Sequence, residues 1–234
     1  MLISNKNFAL TPIPKPLLTR ISLTRFERIA CKRMKNTIFL IRHGQTTWNR
    51  AGRLQGQADS PLTLLGTQQV EAIGKKLKEI IETKKYCFWS SPLGRTKQTT
   101  SIICDQINFN YDDVVFDERL VEITLGDRDG YKSWKALFED FPEDMARREK
   151  DPWNFCHPNG ESSQMVSERV QPFMEKIMNL EGIHVVVTHG VVSKIFRGMY
   201  LNLSPEEIFN LDRPQDAFHR LQNGAVEKIE VSLS

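Results

Sequence analysis

The run HVVVTHG (184–190) constrains the fold of this 234-residue chain more than any other stretch. Three consecutive valines leave no side to turn toward water, so a strand here must be covered on both faces. NTIFLI (36–41) has the same character and runs into Arg-His-Gly, as the later strand runs into Thr-His-Gly. Shorter strands are expected at YCFWS (86–90) and VVF (114–116). Between them the apolar period lengthens to that of a helix. Thr63 can cap a helix over 63–82 that carries Val70, Ile73, Leu77, Ile80 and Ile81 on one face. Pro92 is placed to open a second, reaching about Ile107. A third is expected over 131–141, closed by Pro142. A fourth spans 162–180 with Met165, Val170, Phe173, Ile177 and Leu180 turned inward, and Pro172 is expected to kink or break it. Residues 191–201 form a fifth, and Ser204-Pro205 starts a short sixth. AFHRLQ, Asn223-Gly224 and AVEKIEV read as a terminal hairpin. Strands alternating with helices imply an α/β sheet covered on both faces.

Charge divides the chain in two. The formal net charge is +3, but residues 1–34 hold seven Lys or Arg and one acid. The remaining 200 residues carry 25 basic and 28 acidic side chains, so a nucleic-acid partner is not expected. No apolar run reaches the ~20 residues that cross a bilayer, so no membrane partner is expected either. Residues 1–34 contain three prolines and no clear element. Three readings compete: a disordered basic extension, a transit peptide, or sequence upstream of a true start at Met34. Residues 35–234 then form the domain. The four cysteines form no CxxC pair, and Cys87 and Cys104 read as packed thiols in a reducing compartment. The cytoplasm is the expected location, with mitochondrion or plastid as the alternative if residues 1–34 are a transit peptide.

Ligands of open α/β sheets bind beyond the carboxyl ends of the strands. If the strands ending at Arg42-His43-Gly44 and Thr188-His189-Gly190 are neighbours, two imidazoles face one crevice. Arg95, in SSPLGRTKQTT, projects from the end of YCFWS. Guanidinium groups bind phosphate oxygens in pairs and keep their charge. Arg42, Arg95, His43, His189 and Asn49 therefore suit a dianionic phosphoryl group. His43 must be neutral to attack phosphorus, and the neighbouring arginines disfavour its imidazolium. Its other ring nitrogen is expected to donate to a backbone carbonyl.

IRHGQTTWNRAGRLQGQADSPLT resembles the signature of the histidine phosphatase superfamily, also called phosphoglycerate mutase-like. SSPLGRTKQT, RLVEITLGDRDG and VVVTHG are similar to its further motifs, and PNGES (158–162) to a segment of its phosphatase branch. The resemblance covers roughly 36–230. It implies a three-layer α/β sandwich with a mostly parallel central sheet. It also implies that His43 is the nucleophile, that Arg42, Arg95 and His189 clamp the phosphoryl oxygens, and that Asn49 contacts phosphate. Glu122 matches the acid that protonates the leaving oxygen, and Gln55 and Gly56 fall where the family contacts substrate. Gln45 and Thr96 depart from its commonest residues, near the chemistry rather than at it.

The expected activity is hydrolysis of a small phosphorylated metabolite through phosphohistidine, with no metal or other cofactor. The alternative is a phosphoglycerate mutase primed by 2,3-bisphosphoglycerate, and a non-catalytic phospho-ligand module is a third reading. With 66 residues between Glu122 and His189, the chain lacks the longer insertion of the mutases. The partner is the small phosphorylated substrate, and a homodimer stays open. Arg147-Arg148 resembles mutase arginines that hold a substrate carboxylate, but in the run ARREK it reads as a charged helix face. Trp134 and Trp153 are candidates for a substrate cap. Glu161 reads as a helix-start acid, His157 is ambiguous, and His184 and His219 read as structural.

Overall fold

The computed structural model describes residues 36–81 and 85–233. The three readings of residues 1–34, and Cys31 with them, lie outside the described residues. β1 (Asn36–Arg42), β2 (Tyr86–Ser90), β3 (Val115–Phe116), β4 (Gly182–Thr188), β5 (Ala217–Gln222) and β6 (Ala225–Glu230) form one sheet in the order β3-β2-β4-β1-β5-β6. The first four run parallel, and β5 and β6 add an antiparallel hairpin beside β1. Asn223 and Gly224 both have positive φ, as the hairpin turn requires.

Side-chain alternation sorts the core into two layers. Phe39, Ile41, Val185 and Val187 pack on one face against α2 (Leu64–Ile81) and α3 (Gly94–Ile107). Ile38, Leu40 and Val186 pack on the other against α6 (Ser163–Met178) and α7 (Gly190–Leu201). These strand residues are at most 2% exposed, and each such side chain contributes about 1.5–3 kcal/mol. The two-sided burial expected from the valine run is thus filled by helices on both faces, giving the three-layer α/β sandwich. A third, smaller cluster of Leu54, Leu137 and Met145 stands apart from both and supports α4 (Trp134–Asp140) and α5 (Pro142–Lys150).

Several expectations need correction. The helix expected over 131–141 begins at Trp134, capped by Ser133, and Pro142 opens α5 rather than closing the region. Pro at a first helical position lacks only an N–H that has no intrahelical partner anyway. Pro172 does not break α6, because it faces solvent, where water can satisfy the carbonyl it leaves free. Met165 is 46% exposed and Leu180 40%: the buried stripe runs through Val166, Val170, Phe173 and Ile177, one position out of phase with Met165, and Leu180 lies past the helix end. Cys104 is buried, but Cys87 is exposed near the start of β2. α1 (Thr47–Arg50) and α8 (Pro205–Asn210) are short and each begins with a capping box.

Candidate active site

β1 and β4 are neighbours in register, with Arg42 opposite Thr188. The backbone N–H of His43 donates to Thr188 O (3.0 Å), which sets the two histidines side by side with ring centroids 5.3 Å apart. His43 is 2% exposed and His189 fully buried. His43 Nδ1 lies 2.8 Å from Gly44 O. A carbonyl can only accept, so Nδ1 carries the proton and Nε2 keeps its lone pair. Residue 44 has no room for a side chain, since a Cβ would stand 2.4 Å from Gly66 O. Burial, and then Arg42 and Arg95, hold the His43 imidazole well below its ordinary pKa, so it is neutral at neutral pH. The sequence had pointed to the arginines, but burial is the larger cause.

Arg95 is the first charged side chain of α3 and is 1% exposed. Its Nε–H donates to His43 Nε2 (3.3 Å), Nη2 to Gly56 O (2.7 Å), and Nη1 to Ala58 O (2.9 Å) and Asp59 (3.2 Å). Gly56 has φ +53, and a Cβ there would fall on the Asp129 carboxylate, so the turn that brings its carbonyl to Arg95 needs glycine. Arg42 is half-buried and donates through Nη1 to Arg213 O, while its Nε is buried without a partner. Burial and Arg213 lower it to about 10, which leaves it charged. Glu122 reaches the cavity from the loop after β3, accepting at Oε1 from Ile123 N (3.0 Å) and at Oε2 from Val191 N (3.2 Å). His189 Nε2 meets Ser91 Oγ at 2.8 Å, and Nδ1 has no hydrogen-bond partner among the described residues. Burial, followed by Arg95 and His43, holds this imidazole neutral too.

Arg42, His43, Asn49, Gln55, Gly56, Arg95 and Glu122 all line one cavity of about 390 Å³. His189 is not among its lining residues, and its ring packs edge-on against that of His43. Asn49 and Gln55 are already bound into a network: Asn49 Nδ2 donates to Gln55 Oε1 (3.2 Å), and Gln55 Nε2 to Ser60 Oγ (2.9 Å). Sequence reasoning missed Arg53, Arg213 and Gln215 on the same wall. Gln215 donates to His43 O (3.2 Å) and to Asn49 Oδ1 (3.0 Å). Because β5 runs antiparallel to β1, the polar loop before it returns to the carboxyl end of β1, and that was the available signal. Ser91 was equally accessible, as the residue directly after β2.

A second cavity of about 270 Å³ shares Trp134, Val191 and Arg213 with the first. Its wall adds Arg148, Lys194 and Trp153 and carries no carboxylate. Arg147 is exposed beside Asp144, as a charged helix face predicts, but Arg148 stacks on Trp134 at 4.7 Å and lines this cavity. His157 is buried between Trp134 and Phe155 in the small third core. His184 accepts from Trp89 Nε1 (3.3 Å) and His219 meets Arg197 (2.8 Å), both as structural groups. Glu161 is no helix-start acid: it forms a two-pronged pair with Arg169 (2.8 and 2.9 Å).

What this cavity suits is a dianionic phosphoryl group, held by two guanidinium groups beside a neutral imidazole, the site of a phosphoryl-transfer enzyme. The chain belongs to the histidine phosphatase superfamily (branch 1), whose sequence profile matches residues 38–228. A protein of Shigella dysenteriae named "Probable phosphoglycerate mutase GpmB" is 34% identical over 165 residues, covering 66% of this chain and 69% of that one. Among solved structures, Bacillus stearothermophilus YhfR is 26% identical with a TM-score of 0.68, covering 84% of this chain and 96% of that one. The alpha-ribazole phosphatase of Shigella flexneri has the same fold at 22% identity and TM-score 0.69, covering 85% and 96%. No helix among the described residues is long and apolar enough to cross a membrane.

Proposed function

We propose that this enzyme hydrolyses small phosphomonoesters through a phosphohistidine on His43. One observation carries the reading: Nδ1 of His43 is tied to Gly44 O, so the Nε2 lone pair faces Arg95 in a cavity that also holds Arg42 and Glu122. Nε2 attacks phosphorus, the P–N bond forms, and the ester P–O bond breaks as Glu122 gives its proton to the leaving oxygen. Water then attacks phosphorus and gives a proton to Glu122, and the P–N bond breaks with its electron pair returning to Nε2, which frees inorganic phosphate and the neutral His43. Arg42 and Arg95 neutralise the equatorial oxygens. Arg95 Nε–H, which pins the free ring, turns to a phosphoryl oxygen once Nε2 is bonded. The unpartnered Nδ1 of His189 is the ring atom left for another such oxygen. Asn49, Gln55 and Gly56 shape the wall for the phosphoryl group.

Water as acceptor is supported by the short segment between Glu122 and His189 and by the names of the phosphatases that share the fold. The mutase reading has support in the 34% identical relative and in Arg148, Lys194 and Arg213, which suit a leaving group with its own negative charge. Brief mixing with labelled substrate in EDTA is expected to give an acid-labile, base-stable label, and His43→Ala none. Label on the variant, or a need for Mg²⁺, would overturn the mechanism. With 3-phosphoglycerate, release of inorganic phosphate supports the hydrolase; isomerisation that depends on 2,3-bisphosphoglycerate replaces it with the mutase.

A further inference from the structure

We propose that Arg169, locked by Glu161, is the positioning residue that holds Glu122 at the cavity. The inference rests on the proposed role of Glu122 as the acid. Glu122 sits on a stretch without regular structure, between the 3-10 turn Glu118–Leu120 and the next one at Gly126–Arg128. Such a stretch has no ladder of its own to fix a side chain. Arg169, on α6, supplies most of the side-chain donors to its carbonyls, beside Gln57, whose Nε2 donates to Glu122 O (3.0 Å). Its Nη1 donates to Arg119 O and Val121 O, both at 2.9 Å, and its Nη2 to Glu122 O at 3.4 Å. The remaining two N–H groups go to the Glu161 carboxylate. All five donors are engaged, three of them on the carbonyl of the acid and on two just before it.

Glu161 contributes from both ends. Its Oε2 accepts from Thr124 N (3.2 Å), and its own N–H donates to Thr124 O (2.9 Å). The segment is therefore gripped at 119–122 by the guanidinium and at 124 by the carboxylate that orients it. The pair is mostly buried, with side chains 19% and 16% exposed. Neither residue lines the catalytic cavity, so each acts through the backbone. A buried pair of this kind is a weak source of net stability, whereas a planar fork can fix several carbonyls at once. Lysine keeps the charge but lacks the fork. General acid catalysis needs the proton within hydrogen-bond reach of the leaving oxygen, so a small drift of this loop is costly.

The test compares esters that need the acid to different degrees. For Arg169→Lys, kcat/KM on an alkyl ester such as glycerol phosphate is expected to fall ~100-fold, the scale of general acid catalysis. With 4-nitrophenyl phosphate, whose leaving group needs no proton, it falls only a few-fold. In a Glu122→Gln background, adding Arg169→Lys costs nothing further on the alkyl ester, because both changes remove one function. Equal losses on the two esters, or additive losses in the double variant, overturn the proposal. Glu161→Gln, which keeps the shape and frees one end of Arg169, gives the same selective pattern with a smaller loss, and serves if Arg169→Lys does not fold. If Glu122→Gln itself shows no leaving-group selectivity, the acid assignment falls. If it does and Arg169→Lys does not, only the positioning role falls.

Discussion

The floor of the catalytic cavity and its cap are built by different means. His43 and Arg95, with His189 beside His43, are between 0% and 2% exposed; the two histidines directly follow β1 and β4, and Arg95 stands in the first turn of α3, the helix after β2. Their backbone is fixed by a sheet whose two faces are both sealed. Trp134 and Arg148 are half-exposed and belong to α4 and α5, beside a separate core of three buried side chains, while Trp153, in the loop after them, packs on the larger core of α6 and α7. The difference separates two duties. Attack on phosphorus tolerates little displacement and uses the most over-determined part of the molecule. Contact with the rest of the substrate is assigned to a small subassembly that can vary without disturbing the sheet.

The largest expected effect breaks the floor. Arg95→Lys keeps the charge but loses the fork that joins Gly56 O, Ala58 O and His43 Nε2, so kcat is expected to fall ~10²–10³-fold in steady-state assays. A loss confined to KM would mean that Arg95 only binds. Changing the cap should instead sort substrates. Trp134→Ala removes a wall common to both cavities and the ring under Arg148, and a ~10-fold rise in KM for bulky anionic esters is expected, with kcat on 4-nitrophenyl phosphate little changed. A matching fall in kcat for every substrate would show that floor and cap are not separable.

Mild acid acts on stability and not on the division between floor and cap. All five histidines are held below their ordinary pKa, chiefly by burial, and His219 falls to about 4. Between their folded values and about 6.5 the unfolded chain binds more protons than the folded one, so stability is complete above that window and declines as pH falls through it. Each histidine kept neutral costs up to ~1.4 kcal/mol per pH unit there. The Tm is thus expected to be flat from pH 8 to 7 and to drop toward pH 5, while His43 stays neutral and competent at pH 6. A Tm that rises on acidification would contradict the burial argument.

Legibility in the sequence followed the same division. The floor was readable because its residues follow closely on buried apolar strands, and a strand end is a fixed direction in space. The cap was misread at Pro142 and Arg148, since short helices over a small core leave a weak periodic signal. Glu161 was misread because its partner, Arg169, lies on a face of α6 that only packing identifies. Gln55 and Asn49 line the cavity, and the network that holds them was not foreseeable from spacing.

The amino-acid order by itself determined a doubly covered, mostly parallel sheet and the types of group at its strand ends, because apolar periodicity and backbone chemistry are local properties. Only the tertiary structure decided that β1 and β4 lie side by side, that Arg95 meets Nε2 of His43, and which distant guanidinium grips the loop of Glu122. Those depend on register and on hydrogen bonds between residues tens to more than a hundred positions apart, which no local pattern encodes.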